Sequence, residues 1–308
     1  MAEDSQARRS TPVRKPAWLK VMAPASGAFR ATGAVLDELR LHSVCDEARC
    51  PNRGECFSAG TATFLILGDV CTRSCRFCAV KHAQPRPADL QARAQARRRA
   101  VDPDEPVRLV EAAARLGLTH VVITSVARDD LPDGGAGQFV AAVRALRATL
   151  PAATVEVLVP DFGGDRAALD RVLAEHPDVL GHNLETVPRL YPRVRPQATY
   201  ERSLEMLGRA GAAAPPPLVK TGLMVGLGET RREVRAVLAD CARYNVDVVT
   251  IGQYLQPDSG CLPVARYVAP EEFPGLQSDG ARLGLQVVAG PFVRSSYRAA
   301  EVFSAALG

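Results

Sequence analysis

Six of the eight cysteines in this 308-residue chain form two triplets with different internal spacing. Four and then five residues separate the cysteines of the upstream triplet, and three and then two separate those of the downstream triplet. A cubane 4Fe-4S cluster that only carries electrons takes four thiolates, so three thiolates leave one iron free to bind a reactive molecule. We therefore predict two such clusters, one held by Cys45, Cys50 and Cys56 and the other by Cys71, Cys75 and Cys78.

Zinc and disulfide bonds are the alternative uses of so many cysteines. Structural zinc sites usually take four ligands from paired Cys-x-x-Cys or Cys/His sets. Only Cys75 and Cys78 form such a pair, and His82 is the one imidazole nearby in the sequence. Disulfide frameworks are typical of small secreted chains, and we find no pattern typical of a signal peptide. Both alternatives fit the spacing less well than iron–sulfur clusters do.

The surroundings of the downstream triplet resemble the signature loop of radical S-adenosylmethionine (radical SAM) enzymes, because the triplet follows an apolar run at 63–68. Together with the upstream triplet and the run Arg294-Ser295-Ser296-Tyr297 near the carboxyl end, it resembles the lipoyl synthase family. Further similar stretches lie at 128–136, 182–186, 220–230 and 250–257. The resemblance therefore covers nearly the whole chain.

Short apolar runs alternate with helical patterns along the chain, which predicts an α/β fold with a parallel sheet. Six such strands fit a partial (β/α)6 barrel, the radical SAM barrel of the family that the chain resembles. The predicted strands lie at 64–67, 120–126, 154–159, 179–184, 218–225 and 246–251. The predicted helices between them lie at 105–116, 138–150, 166–175, 200–209 and 231–244.

We divide the chain into an amino-terminal extension with the upstream triplet (1–62), the barrel (63–285) and a carboxy-terminal segment with the Arg-Ser-Ser-Tyr run (286–308). Residues 1–30 lack periodicity and predict an extended arm. The stretch 91–100 is longer and more basic than the usual connector in the family, and we expect a solvated insertion there.

Right-handed crossovers bring the loops after parallel strands to one end of the barrel, where barrel enzymes hold their active sites. Gly134 and Gly135 follow the second strand and permit close backbone approach and positive φ. Asn183 and Glu185 alternate at the end of the fourth strand, so their side chains share a face. In the family context these four residues would bind S-adenosylmethionine. A simple turn and strand-end capping remain the respective alternatives.

The resemblance also implies a mechanism, because an unactivated alkyl carbon has no useful acidity and its substitution needs a cofactor-derived radical. The downstream cluster would cleave S-adenosylmethionine to a 5'-deoxyadenosyl radical. This radical would abstract hydrogen from an octanoyl chain on a protein lysine. Sulfur from the upstream, auxiliary cluster would then be inserted at C6 and C8. A serine oxygen would complete the auxiliary cluster, and we assign Ser296, with Ser295 as the second choice.

The implied substrate is an octanoylated lipoyl carrier domain or a glycine-cleavage H-type protein, and the implied electron donor is of flavodoxin or ferredoxin type. Other sulfur-inserting radical SAM enzymes remain alternatives, either biotin-synthase-like or methylthiotransferase. A non-enzymatic electron carrier would not need six strands and two incomplete triplets.

The composition of the chain argues against several other classes of protein. The chain carries 38 basic and 34 acidic residues, so its formal charge of +4 does not indicate a nucleic-acid binder. No apolar stretch approaches the roughly 20 residues that span a bilayer. Iron-bound thiolates need a reducing compartment. An amino-terminal arm with Glu3 and Asp4 makes a poor transit peptide, and we therefore expect a bacterial cytoplasmic protein without a membrane or nucleic-acid partner.

Two remaining cysteines and three basic residues complete the set of candidates. Cys241 lies in an apolar helical pattern and is expected to be a buried, inert thiol, and Cys261 matches neither triplet. Arg195, Lys220 and Arg294 could contact carboxylates, although solvated or structural roles are usual for basic residues.

Overall fold

The computed structural model describes residues 14–21, 26–82 and 100–307. Its strands are β1 (His42–Ser43), β2 (Thr63–Ile66), β3 (Val70–Cys71), β4 (Lys81–His82), β5 (His120–Ser125), β6 (Thr154–Leu158), β7 (Val179–Gly181), β8 (Leu218–Val225), β9 (Val248–Gln253) and β10 (Gln286–Gly290). Its α-helices are α1 (Gly27–Glu38), α2 (Val44–Glu47), α3 (Arg53–Ser58), α4 (Glu105–Arg115), α5 (Ala136–Thr149), α6 (Arg166–Leu173), α7 (Tyr191–Val194), α8 (Tyr200–Gly211), α9 (Arg231–Arg243), α10 (Phe273–Ala281) and α11 (Ala299–Leu307). Within the described ranges no helix has the length and apolar character to span a bilayer.

One eight-stranded sheet forms the wall of the molecule, in the order β1-β2-β5-β6-β7-β8-β9-β10. The strands from β2 to β10 in this order are parallel neighbours, and β1 pairs antiparallel with β2 at one edge. In the described sheet the first and last strands are not paired with each other, as expected for a partial barrel. The six predicted strands and the α/β class are confirmed.

The sheet has a seventh parallel strand, β10, which lies in the segment 286–308 and was not predicted. It pairs with β9 on one side only and is therefore an edge strand. Its second residue alone is buried, whereas every residue of β2 and β9 is buried. A strand covered on both faces reads as a continuous apolar run, and an edge strand lacks that signal.

All five predicted helices are present, with ends within two residues of the prediction. Their starts are set by short polar side chains that accept hydrogen bonds from free backbone N–H groups. Asp165 begins α6, Thr199 begins α8, and Thr230 forms a capping box with Glu233 at the start of α9. These caps explain why the helices begin where the loops above the barrel end.

The prediction of an extended arm through residue 30 is wrong at its end, because α1 begins at Gly27 with Ser26 as its cap. The Phe29 ring lies 5.7 Å from the Phe57 ring of α3, and Thr32 donates a hydrogen bond to the Phe57 carbonyl. Small residues at the start of α1 obscured the helical pattern, and packing on α3 stabilises it. Residues 1–13, 22–25 and most of the predicted insertion at 91–100 lie outside the described residues.

A buried ion pair crosses the barrel interior near the amino ends of the strands. The Lys220 Nζ on β8 lies 2.9 Å from the Glu156 Oε1 on β6. The His120 Nε2 on β5 lies 3.3 Å from the Glu156 Oε2. Burial would raise the pKa of Glu156, but Lys220 and His120 hold it below its usual value. Lys220 is therefore structural, in agreement with the usual role of basic residues.

Replacing Lys220 with methionine should destabilise the protein by about 3–5 kcal/mol, because the Glu156 carboxylate would remain buried without its partner. Anaerobic thermal unfolding would measure the loss. The double variant Lys220→Met, Glu156→Leu should recover much of it, since both charges are then removed. Arg144→Met, which breaks an exposed ion pair with Glu175, is the control and should change the unfolding temperature little. Equal losses in the two single variants would contradict the prediction.

Candidate active site

The downstream triplet lies on the loop after β2, and buried charges fasten this loop to the barrel. The guanidinium of Arg73 is buried and lies 2.6 Å from a carboxylate oxygen of Asp129 and 2.5 Å from one of Asp161. The Cys71 sulfur accepts hydrogen bonds from the backbone N–H groups of Arg73 and Ala127. These contacts give the loop that carries the triplet a defined conformation.

The three thiols of the downstream triplet are partly buried, and this changes their acidity. Burial raises the pKa of Cys78 to about 12 and raises that of Cys71 and Cys75 as well. The charge that each thiolate would carry raises the pKa of its neighbours in the triplet. Metal binding to thiols with raised pKa values releases protons, and three partly buried thiols on one short loop fit an iron–sulfur cluster.

The upstream triplet is held by two short helices. Cys45 lies in α2, Cys56 lies in α3, and the Cys50 N–H donates to the Cys45 carbonyl at 3.0 Å. Burial raises the pKa of Cys45 to about 12 and that of Cys56 to about 11, and the potential charge on Cys50 adds to both shifts. Burial also raises the pKa of Cys50, which Arg294 partly offsets. This triplet has the same properties as the downstream one.

Among the described residues no three His, Cys, Asp or Glu side chains are close enough to hold a single metal ion. A cubane cluster binds each thiolate at a different iron, so its ligands do not have to meet at one point.

The extensions at the two ends of the chain meet beside the upstream triplet. Asn52 donates a hydrogen bond of 2.6 Å to the Phe292 carbonyl. The Tyr297 hydroxyl donates to the Glu55 carboxylate at 2.9 Å, and Arg298 forms an ion pair with the same carboxylate. The serine run at 295–296 is thereby brought to the upstream triplet, although roughly 240 residues separate them in the sequence.

One cavity of about 390 Å³ lies at the carboxyl ends of β7, β8 and β9. Residues near both ends of the chain and residues of the barrel line it, as expected where loops follow parallel strands. Among the residues that line it are Cys45, Cys50, Cys56, Cys78, Asn183, Glu185, Ser295 and Ser296. The structure therefore brings the upstream triplet, one end of the downstream triplet, the predicted polar pair and both serines to one space.

Two cysteines of the downstream triplet and Cys261 line another cavity, on the outer side of the downstream loop. This cavity, of about 450 Å³, is lined by Cys75, Cys78, His82 and Cys261. The Cys261 thiol lies 3.5 Å from the Cys78 carbonyl. Cys241 is fully buried in α9, as predicted.

Gly134 and Gly135 form a tight turn before α5, with φ values of 60° and 93°. A Cβ on Gly135 would overlap the Leu67 side chain, and one on Gly134 would lie 3.1 Å from the Phe162 ring. Neither glycine is among the residues that line the 390 Å³ cavity. The turn, with Gly134 packed on Phe162 and Gly135 on Leu67, accounts for both glycines, and a contact with S-adenosylmethionine stays a prediction.

Asn183 and Glu185 lie after β7 and contact each other, as their alternation predicts. The Asn183 amide donates a hydrogen bond of 3.0 Å to the Glu185 carboxylate. Glu185 has a φ of 65°, and its backbone is fixed by hydrogen bonds with β8, including one to the Gly222 carbonyl. In the described part of the chain, the two side chains form hydrogen bonds with other side chains and do not cap backbone groups.

Two arginines flank Glu185; the sequence allowed that Arg195 and Arg294 could contact carboxylates, but it did not indicate which carboxylate. Arg195 is buried and donates to the Asn183 carbonyl at 2.7 Å. Burial raises the pKa of Glu185, and the charges of Arg195 and Arg294 oppose that shift. In the sequence, Arg294 directly precedes the two serines, and this position was a signal that it belongs to the site. No comparable signal marks Arg195, because its proximity to Cys75 results from the fold alone.

The chain matches the Radical SAM superfamily over residues 65–241. Among solved structures, Streptococcus suis SuiB matches this chain with a TM-score of 0.53 at 9% identity. The match covers 77% of this chain and 52% of SuiB. Methylornithine synthase PylB has a TM-score of 0.50 at 14% identity, covering 84% of this chain and 81% of PylB. Together the fold and the cysteine site define a radical SAM enzyme.

Curated relatives narrow this class. The chain is 52% identical to a lipoyl synthase of Nitratidesulfovibrio vulgaris, covering 96% of this chain and 95% of that protein. It is 50% identical to one of Thermus thermophilus, covering 94% and 86%, and 51% identical to one of Chlorobium limicola, covering 95% and 96%. The chain belongs to the lipoyl synthase family, as the resemblance of its cysteine triplets and its Arg-Ser-Ser-Tyr run implied.

Proposed function

We propose that this protein inserts two sulfur atoms, at C6 and C8, into an octanoyl chain attached to a lysine of a lipoyl carrier protein. The observation that carries the proposal is the single cavity lined by the upstream triplet, by Cys78 and by the serine run. Sulfur insertion requires that a radical source and a sulfur source reach the same alkyl chain, and this cavity adjoins residues of both sites.

Cys71, Cys75 and Cys78 would hold the cluster that binds S-adenosylmethionine at its open iron. The auxiliary cluster would be held by Cys45, Cys50, Cys56 and Ser296. When bound, the two clusters and S-adenosylmethionine supply the radical and the sulfur, which side chains cannot provide. The chain itself supplies the thiols and brings the upstream triplet and Cys78 to one cavity.

Ser296 is preferred to Ser295 as the auxiliary ligand because the Ser295 hydroxyl already has a partner. It donates a hydrogen bond of 2.9 Å to the side-chain amide oxygen (Oδ1) of Asn183. Within the described part of the chain the Ser296 side chain makes no hydrogen bond, and it lines the cavity. Its oxygen is therefore available to a metal.

Asn183 and Glu185 are proposed to bind the polar groups of S-adenosylmethionine, with Gly134 and Gly135 allowing its amino end to approach the downstream loop. The Glu185 carboxylate lies in the cavity wall and can accept hydrogen bonds from hydroxyl groups. Arg195 and Arg294 favour its charged form.

The proposed substrate protein is an octanoylated lipoyl domain or a glycine-cleavage H-type protein. A flavodoxin or ferredoxin would reduce the downstream cluster, and the outer cavity beside Cys75 and Cys78 offers a short path for the electron. A reducing compartment such as the cytoplasm suits eight cysteines that are free thiols.

Anaerobic reconstitution with iron and sulfide tests the proposal. We expect about eight irons per chain, because each cubane cluster contains four. With S-adenosylmethionine, a reductant and an octanoylated carrier peptide, mass spectrometry should detect a peptide that carries two added sulfur atoms. A protein with about four irons, or with zinc instead, would contradict the two-cluster assignment. A loaded protein that leaves the peptide unchanged would contradict the reaction.

Replacing Ser296 with cysteine should preserve iron binding and slow sulfur insertion by about ten- to a hundredfold. A serine oxygen is a harder ligand than thiolate and is more easily removed by protonation, whereas a fourth thiolate would hold the cluster more firmly. Iron content and the rate of lipoyl product formation measure the two effects. Ser278→Cys, on the exposed surface of α10, is the matched control. Normal turnover of the Ser296 variant would refute the idea.

A further inference from the structure

The Arg-Ser-Ser-Tyr segment is hydrogen bonded to the polar pair at the end of β7. The Ser295 hydroxyl donates to the Asn183 Oδ1 at 2.9 Å, and the Asn183 Nδ2 donates to the Glu185 Oε1 at 3.0 Å. A side-chain amide has one acceptor end and one donor end. By occupying the acceptor end, Ser295 directs the donor end of Asn183 toward the carboxylate.

Two glycines let the segment lie directly on the inner face of the sheet. A Cβ on Gly222 of β8 would lie 2.6 Å from the Ser295 Oγ and 2.8 Å from the Asn183 Oδ1. A Cβ on Gly252 of β9 would overlap the Val293 carbonyl and approach Arg294 within 2.9 Å. Any larger residue at these positions would displace the segment. The contact between Ser295 and Asn183 is therefore built into two strands and is not a chance surface contact.

Ser295 also adjoins Ser296 in the sequence, so whatever holds the Ser296 oxygen restricts the position of the Ser295 hydroxyl. We propose that Ser295 is a positioning residue that couples the auxiliary cluster to S-adenosylmethionine binding through Asn183 and Glu185. The proposal rests on the proposed function, which assigns Ser296 to the auxiliary cluster and the pair at 183 and 185 to S-adenosylmethionine. Coupling of this kind is reciprocal, because each ligand favours the conformation that the other requires.

The test measures the dissociation constant of S-adenosylmethionine by anaerobic equilibrium dialysis. Four reconstituted proteins are compared: the natural protein, Ser295→Ala, a variant with the upstream cysteines replaced by alanine, and the combination of both changes. With both clusters present, Ser295→Ala should weaken binding about fivefold, the usual effect of one lost hydrogen bond. Loss of the upstream cysteines should weaken it by a similar factor.

The combined variant distinguishes coupling from two separate effects. If Ser295 transmits the presence of the auxiliary cluster, its removal should cause no further loss once that cluster is absent. If the two losses multiply, or if Ser295→Ala binds S-adenosylmethionine as the natural protein does, the proposal is overturned.

Iron analysis and further variants guard against misfolding. Ser295→Ala should retain about eight irons per chain, whereas a fall to about four would make Ser295 the cluster ligand and would overturn the proposal. Ser295→Thr keeps the hydroxyl and should restore affinity. Gly222→Ala should weaken binding in the same direction, and Gly33→Ala, where a Cβ has open space, is its control. If the natural protein with both clusters fails to bind S-adenosylmethionine, the proposed function itself fails.

Discussion

Replacing Cys71, Cys75 and Cys78 with alanine should abolish both cleavage of S-adenosylmethionine and formation of the lipoyl product. These three thiols lie on one loop. In the described part of the chain, the other cysteines that line the 390 Å³ cavity all belong to the upstream triplet. The variant should retain about four irons per chain, since the upstream triplet is unaffected. Iron analysis and chromatographic detection of methionine and 5'-deoxyadenosine would measure the two outcomes.

Cys241→Ala is the control for this variant. Its thiol is fully buried in α9 and contacts neither triplet, and burial raises its pKa to about 12. The control should keep both iron content and cleavage activity. Retention of about eight irons by the triple variant would mean that the downstream loop holds no cluster.

Replacing Cys45, Cys50 and Cys56 with alanine should separate the two half-reactions. The variant should again hold about four irons, and it should still cleave S-adenosylmethionine when reduced, because ion pairs of Arg73 fasten the downstream loop to the barrel. Sulfur insertion should fall below detection, since the proposed sulfur source is absent. The measurement pairs 5'-deoxyadenosine formation with mass spectrometry of the octanoylated peptide.

The decisive comparison is the cleavage of S-adenosylmethionine, which the downstream triple variant should lose and the upstream triple variant should keep. Sulfur in the product of the upstream variant would mean that another donor supplies it, and the role of that triplet would have to be abandoned. Loss of S-adenosylmethionine cleavage in the same variant would have a different meaning. It would show that the two sites depend on each other more strongly than a fivefold change in affinity, the usual effect of one hydrogen bond, allows.

Much of the barrel could be predicted because its interior strands are buried on both faces. The run at 64–67 corresponds to β2, and the run at 218–225 corresponds to β8 residue for residue. Local patterns failed where burial is one-sided or where packing decides. The edge strand β10 has one buried residue, and α1 is stabilised by contacts with α3 that its own sequence does not reveal.

The candidate site divides in the same way. The cysteine spacing predicts the metal chemistry and carries part of the resemblance to the family, since three candidate ligands on one short loop are a local property of the sequence. The position of Ser295 was not local: its partner, Asn183, lies 112 residues away, and the contact requires the absence of a side chain at Gly222 on a third element.

The sequence by itself determined which residues could bind iron and how the strands and helices alternate, because ligand type, loop spacing and two-sided burial are encoded over a few neighbouring residues. Only the tertiary structure decided that both ends of the chain reach one cavity and that Arg195 and Arg294 flank Glu185. The physical reason is that parallel strands with right-handed connections bring distant loops to the same end of the barrel, and which side chains meet there depends on the packing of every strand between them.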